Sequence, residues 1–235
     1  MRILFTAVSL LISSLFLKAQ VGINCQYFPG LQVGFVRVKT DNAKLGEYKY
    51  GAGLPILMID RIKDHWYLNT DLSALYYGAT QTNKANDNQI KISKAEGAFF
   101  SGRLGYLFGK GDQFRMGPNI NVGSSTSNLD SLKKTFDQRA YTNLGLGVVA
   151  YKKFGKLRLV GKVGYERYSA KSYITKGSGT YLEATIAYSI FQKYGLSIMP
   201  SFYSKKFEYT PKNDATVTNA KVKSFVIRFG LTKFF

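Results

Sequence analysis

From Tyr48 onward the chain alternates between apolar and polar positions. Tyr48, Tyr50, Ala52, Leu54 and Ile56 are apolar at every second position, with Lys49, Gly51 and Gly53 between them. The same period returns in Trp66–Tyr76, Ala98–Tyr106, Phe114–Val122, Leu144–Ala150, Leu157–Val163, Leu182–Tyr188, Leu196–Phe202 and Phe225–Phe235. A period of two places alternate side chains on opposite faces of a strand, whereas a helix repeats every 3.6 residues. Leu31–Val38 is the weakest such segment and would be the first. Together they predict ten strands, with eight or twelve as the alternatives; twelve requires Val21–Tyr27 to pair.

The connections follow their own rule. If the N-terminus is periplasmic, the turns after strands two, four, six and eight are Asp60–Asp64, Gly109–Gln113, Lys152–Lys156 and Phe191–Gly195, each of about five residues. On the other side Thr80–Ile92, Gly123–Arg139, Ser169–Gly179 and Ser204–Lys223 are longer and rich in Lys, Asn, Ser, Thr and Asp, and only Thr40–Leu45 is short. Short turns at one end and long loops at the other are the layout of an outer-membrane barrel.

Alternation alone has no sign, because a soluble sandwich or lipocalin-like barrel alternates too, with its apolar face inward. Three features favour the membrane. The polar face mixes small residues with charges. Aromatics gather at strand ends (Tyr48, Tyr50, Trp66, Tyr76, Tyr106, Phe108, Tyr151, Tyr165, Tyr188 and Phe202). The last strand ends on Phe235. Past the first twenty residues the longest apolar run is Leu144–Tyr151, too short for a spanning helix, although 45 % of the chain is apolar. Only a closed sheet then satisfies the backbone in lipid.

Residues 1–19 form a separate unit. Arg2 precedes an apolar stretch, Ile3–Leu17, and Lys18-Ala19-Gln20 offers a small residue for cleavage, as in a secretory signal. The mature chain, 20–235, is expected to be one barrel domain. Cys25 lies six residues past Ala19, too far for a lipoprotein signal, and a single cysteine has no internal disulfide partner. The 33 basic and 14 acidic side chains give +19. Export removes nucleic acid as the partner for that charge and leaves the phosphates of outer-membrane lipid and lipopolysaccharide.

Leader, alternating strands and the segment Phe225-Val-Ile-Arg-Phe-Gly-Leu-Thr-Lys-Phe-Phe235 resemble a small outer-membrane β-barrel of the Bacteroidota type. The resemblance implies that Phe225, Ile227, Phe229, Leu231 and Phe235 are the signal read by the barrel-assembly machinery. Lys233 departs from the pattern, at a membrane edge where it can snorkel. The likeness is architectural and names no activity.

Candidate chemistry is sparse. His65 is the sole histidine and falls at a periplasmic turn, away from outer-leaflet chemistry. Gly145-Leu-Gly147-Val-Val-Ala150, with Glu166, fits a dinucleotide fingerprint by spacing, but its glycines alternate within a strand and no helix follows. One Cys and one His cannot make a zinc site. No catalytic, metal or cofactor site is expected. The strand phase instead collects Lys49, Asp71, Arg103, Arg115, Arg158, Lys162, Glu183 and Arg228 on the lumen face, with Asn69, Asn119, Asn121 and Asn143. Such a set makes either a salt-bridged plug or, with six cations against two acids, a narrow anion-preferring passage. The function expected is a non-enzymatic barrel with a structural or interaction role, an accessory subunit with a protein partner in the envelope. The alternatives are a narrow pore and a lipid-modifying enzyme or protease using His65, Asp130, Asp137 and Asp214.

Overall fold

The structure, a computed structural model, describes residues 25–40, 47–49, 52–82, 89–110, 114–127, 139–170, 174–210 and 217–234. Every regular element among them is a strand: β1 (Cys25–Thr40), β2 (Glu47–Lys49), β3 (Ala52–Lys63), β4 (Trp66–Thr82), β5 (Gln89–Tyr106), β6 (Arg115–Ser127), β7 (Arg139–Phe154), β8 (Leu157–Ala170), β9 (Ile174–Phe191), β10 (Tyr194–Tyr209) and β11 (Thr218–Phe234). β2 and β3 both lie between β1 and β4 and form one interrupted stave, so the barrel has ten. All pairings are antiparallel, each stave meets its chain neighbour, and β1 pairs with β11 from Cys25↔Phe234 to Thr40↔Ala220 to close the ring.

Burial supplies the sign that alternation lacks. Along β7 the leucines face out, with Leu146 68 % exposed, while Asn121 on the adjacent β6 and Arg103 on β5 are at most 1 % exposed. Leu104, Ile120, Val122, Leu144, Val163, Leu182, Leu196, Ile198 and Leu231 cover the outer wall. Apolar atoms outside and charge inside is the arrangement that lipid favours and water does not.

Most staves run 16–18 residues, well beyond the roughly 9–11 that cross a bilayer. Beyond the apolar belt the alternation reverses. Tyr168, Phe207, Tyr209 and Val222 point inward there, and Arg167, Lys206, Lys221 and Lys223 point outward. Beyond the belt the barrel is therefore built as an ordinary water-facing sheet. Much of what the sequence offers as long loops is strand: Ser204–Lys223 contains the end of β10 and the start of β11, and the other three long connections shorten likewise.

Three of the four turns at the opposite end are tighter than five residues. Asp64-His65, Gly155-Lys156 and Gln192-Lys193 are two-residue links; only Leu107–Phe114 is longer, held by a Phe108↔Met116 bridge. Asp64 (φ 52°) and Gly155 (φ 53°) take the left-handed conformation that Asp tolerates and Gly prefers. Between Pro55 and Leu57 the β3–β4 register slips by one residue, a bulge that shifts the phase of the strand beyond it. That slip turns Met58, Asp60 and Ile62 into the lumen, so Asp60 belongs to an inner face and not to a turn.

Candidate functional site

Among the described residues, inward side chains meet across the lumen in three levels. At the tight-turn end Ile62, Tyr67, Leu107, Val149, Tyr151 and Val160 form one apolar cluster, and Met58, Ala187, Met199 and Phe234 form a second. Arg115 lies over the Tyr151 ring (5.0 Å) and donates from Nη1 to the carbonyl of Asp64 (2.7 Å); Arg158 lies over Phe234 (4.9 Å). These two cations sit at the mouth, each against an aromatic face.

The middle level carries the charge. Arg103 Nη2 donates to Glu183 Oε1 at 2.5 Å, crossing from β5 to β9, and Lys162 Nζ holds the other oxygen at 3.1 Å. Tyr203 donates its hydroxyl to Glu183 at 2.5 Å, so one carboxylate anchors three donors from three staves. Arg103 also donates to Asn69 Oδ1 (2.9 Å) and lies over the Tyr181 ring (5.1 Å). Asn69 in turn donates to Asp60 Oδ1 (2.8 Å), which accepts from Tyr67 as well (2.9 Å). Arg228 pairs with Asp71, tying β11 to β4. Glu166 accepts from Asn121 and from Tyr168, the latter at 2.6 Å.

Close approach needs glycine at one place here. Tyr181 lies across β8 and β7, and a Cβ on Gly164 or Gly147 would stand 2.5 Å from its hydroxyl oxygen. The small residues on the polar face are there because an aromatic ring covers them. Above this level Lys205 is held by tyrosines, 4.9 Å from the Tyr168 ring, 5.2 Å from Tyr203 and 5.4 Å from Tyr141, and donates to Tyr141 Oη at 3.2 Å. Phe207 packs against Tyr141 and Tyr168.

Of the eight charges that strand phase assigns to the lumen, Asp71, Arg103, Lys162, Glu183 and Arg228 meet at mid-level, and Arg115 and Arg158 stand at the mouth. Lys49 is in β2, with its side chain outside the described residues. Sequence reasoning passed over Asp60, Glu166, Lys205 and the tyrosines that bind them. With Asp60 and Glu166 added, the middle of the lumen holds four carboxylates against three cations among the described residues. Tyr151, grouped in sequence with the interfacial aromatics, is 5 % exposed and faces the lumen. It is out of phase with Leu144, Leu146 and Val148. Phe225, Ile227, Phe229 and Leu231 stand outward on β11; Phe235 lies outside the described residues.

His65 is structural in its contacts: its Nδ1 meets the carbonyl of Leu107 at 2.8 Å and its ring stacks on Tyr106. Asp130, Asp137 and Asp214 lie outside the described residues. Gly145–Ala150 runs inside β7, with Gly145 paired to Glu166 and Asn121. Among the described residues no three His, Cys, Asp or Glu side chains converge as metal ligands.

Neither a protein-family model nor a curated protein sequence matches the chain. Solved structures do. The outer membrane protease OmpT from Escherichia coli superposes with a TM-score of 0.53 at 11 % identity, over 91 % of this chain and 97 % of that one. The β domain of the Bordetella autotransporter BrkA gives 0.46 at 12 %, over 88 % and 99 %. The KdgM porin gives 0.36 at 13 %, over 87 % and 99 %. The fold is that of an outer-membrane β-barrel. At these identities the likeness carries architecture and no activity.

Proposed function

We propose that the chain is an exported outer-membrane barrel whose lumen is closed by its own side chains, and which acts through its outer wall and rim as a structural or interaction component of the envelope. The observation that carries this reading is the set of bridges across the lumen, Arg103–Glu183–Lys162 and Arg228–Asp71, standing above an apolar floor. A desolvated charge needs a partner, and these charges have theirs in one another, which leaves little for a permeating ion. Residues 1–19 are the leader in this reading, and the tight turns face the periplasm. Phe225, Ile227, Phe229 and Leu231, with Phe235, then present to the assembly machinery the closing-strand signal that the Bacteroidota-type resemblance implies.

A narrow pore is the second reading, favoured by one observation. Asp60 Oδ2, Asn119 Nδ2, Asn121 Oδ1 and Asn143 Oδ1 are buried without a protein partner among the described residues, so this side of the lumen retains hydrogen-bonding capacity for solvent. Over all levels the described lumen carries six cations, Arg103, Arg115, Arg158, Lys162, Lys205 and Arg228, against four acids, Asp60, Asp71, Glu166 and Glu183, an excess that gives such a pore a preference for anions. Planar-bilayer recording separates the two readings. The purified protein is expected to give no step above baseline, and regular single-channel steps would replace the plug with the pore.

A further inference from the structure

Among the described residues a group of lysines lies on the outside, immediately beyond the apolar belt. The pairings of β8 through β11 place side chains there in rows across the staves. Val163, Leu182, Phe202 and Phe225 make the last apolar row. The next row is Tyr165, Thr180, Ser204 and Lys223, and the one above it is Arg167, Ser178, Lys206 and Lys221. Across the closing seam, backbone register continues the rows with Arg37 opposite Lys223 and Lys39 opposite Lys221. Lys206 and Lys221 are thus directly paired like charges, and Lys223 follows Lys221 on the same face.

Such pairing is unfavourable in a sheet, and the described outward faces carry few acids to offset it. On the outward faces of β8–β11 the one carboxylate among the described residues is Glu208, which faces Lys176 at 3.7 Å. Neighbouring staves lie about 4.8 Å apart and same-face positions along a strand about 6.7 Å apart. Lys206, Lys221 and Lys223, with Ser178 and Ser204 on the same rows, therefore occupy an area suited to one or two phosphates.

We propose that this surface binds the phosphorylated headgroup of an outer-leaflet lipid, with the acyl chains lying on the apolar row beneath. The belt settles the class of partner. A phosphate held by Lys206, Lys221 and Lys223 sits one to two rows above Phe202 and Phe225, at the height where hydrocarbon gives way to headgroup. A soluble anion would have no use for that apolar row, and an acidic protein would have to dock partly in lipid. The inference rests on the membrane reading above, including its orientation with the tight turns periplasmic.

The test is titration of the purified, folded protein in micelles with diphosphoryl lipid A, with an uncharged glycolipid of equal acyl length, with inorganic pyrophosphate and with polyglutamate, at low and high salt. The expected result is lipid A binding at least tenfold tighter than the glycolipid, weakening as salt rises. The K206Q/K221Q/K223Q variant should lose at least tenfold of that affinity and K206E/K221E/K223E should lose the preference altogether; all three positions face outward, so the fold is not at stake. Unchanged binding in both variants overturns the proposal. Binding of pyrophosphate as tight as that of lipid A overturns the lipid, and tighter binding of polyglutamate replaces it with an acidic protein. Heat-modifiable migration of the same samples separates the two levels: its loss would overturn the membrane reading itself, whereas folded protein without lipid preference overturns only this inference.

Discussion

Glu183 is where the lumen is most sensitive to one atom. Its two oxygens hold Arg103, Lys162 and Tyr203, so Glu183→Gln leaves two buried cations sharing a neutral amide. Breaking a buried pair from one side costs about 3–5 kcal/mol, to be read from the urea midpoint of the protein in micelles. Arg103→Met combined with Glu183→Met is expected to cost less than the sum of the single changes, because the double change removes the charge together with its partner. Equal midpoints for wild type and Glu183→Gln would show the network to be idle. Strand phase alone placed Asp71, Arg103, Lys162, Glu183 and Arg228 on one face, because the polar positions of β4, β5, β8, β9 and β11 keep strict period two. Glu166 is equally legible, four residues beyond Lys162 in the same strand and on the same face. What sequence cannot supply is the pairing across the lumen: nothing in the spacing of Arg103 and Glu183 says that they touch.

Strand length and register were less legible, for two reasons. Outside the belt the polar face turns outward and the aromatic face inward, so a search for apolar-out alternation stops at Phe202 although β10 continues to Tyr209. Within β3 the bulge at Ile56 reverses phase, which hid Asp60 inside what the pattern reads as a turn. That bulge makes a prediction. Pro55↔Ser73 and Leu57↔Leu72 flank the extra residue, and deleting Ile56 preserves both pairings with β4 while moving the one-residue slip to the β1 side, between Tyr27 and Gln32, where β1 already bulges at Pro29/Leu31. Deleting Ile59 instead moves Asp60 and Ile62 to the opposite face, which strips Tyr67 and Asn69 of their acceptor and puts a carboxylate against lipid. Refolded into micelles, the Ile56 deletion is expected to give the compact, heat-modifiable band and the Ile59 deletion to lose most of it. The opposite ranking would mean that the bulge, rather than the face, holds this stave in place.

For the whole molecule the decisive property is that its apolar wall faces out, and the chain carries one reporter of it. Trp66 is the single tryptophan. It begins β4 beside the Asp64-His65 turn, is 55 % exposed, and meets Tyr106 edge-on at 5.4 Å, with Phe108 behind Tyr106. In water such a cluster would be an exposed apolar patch at the end of a strand. At a bilayer surface it is a girdle, an apolar body with one polar N–H at headgroup depth. In liposomes the emission of Trp66 should therefore resist aqueous acrylamide and be quenched more by a lipid-borne quencher near the headgroups than by one at the chain ends. Denaturation should restore acrylamide access. A soluble barrel gives the reverse, since every group exposed on its outer wall meets water and none meets lipid. Acrylamide quenching as strong in liposomes as in denaturant would remove the outward wall from the membrane. It would remove with it the reason for placing phosphates at Lys206, Lys221 and Lys223, because that placement depends on where the hydrocarbon ends.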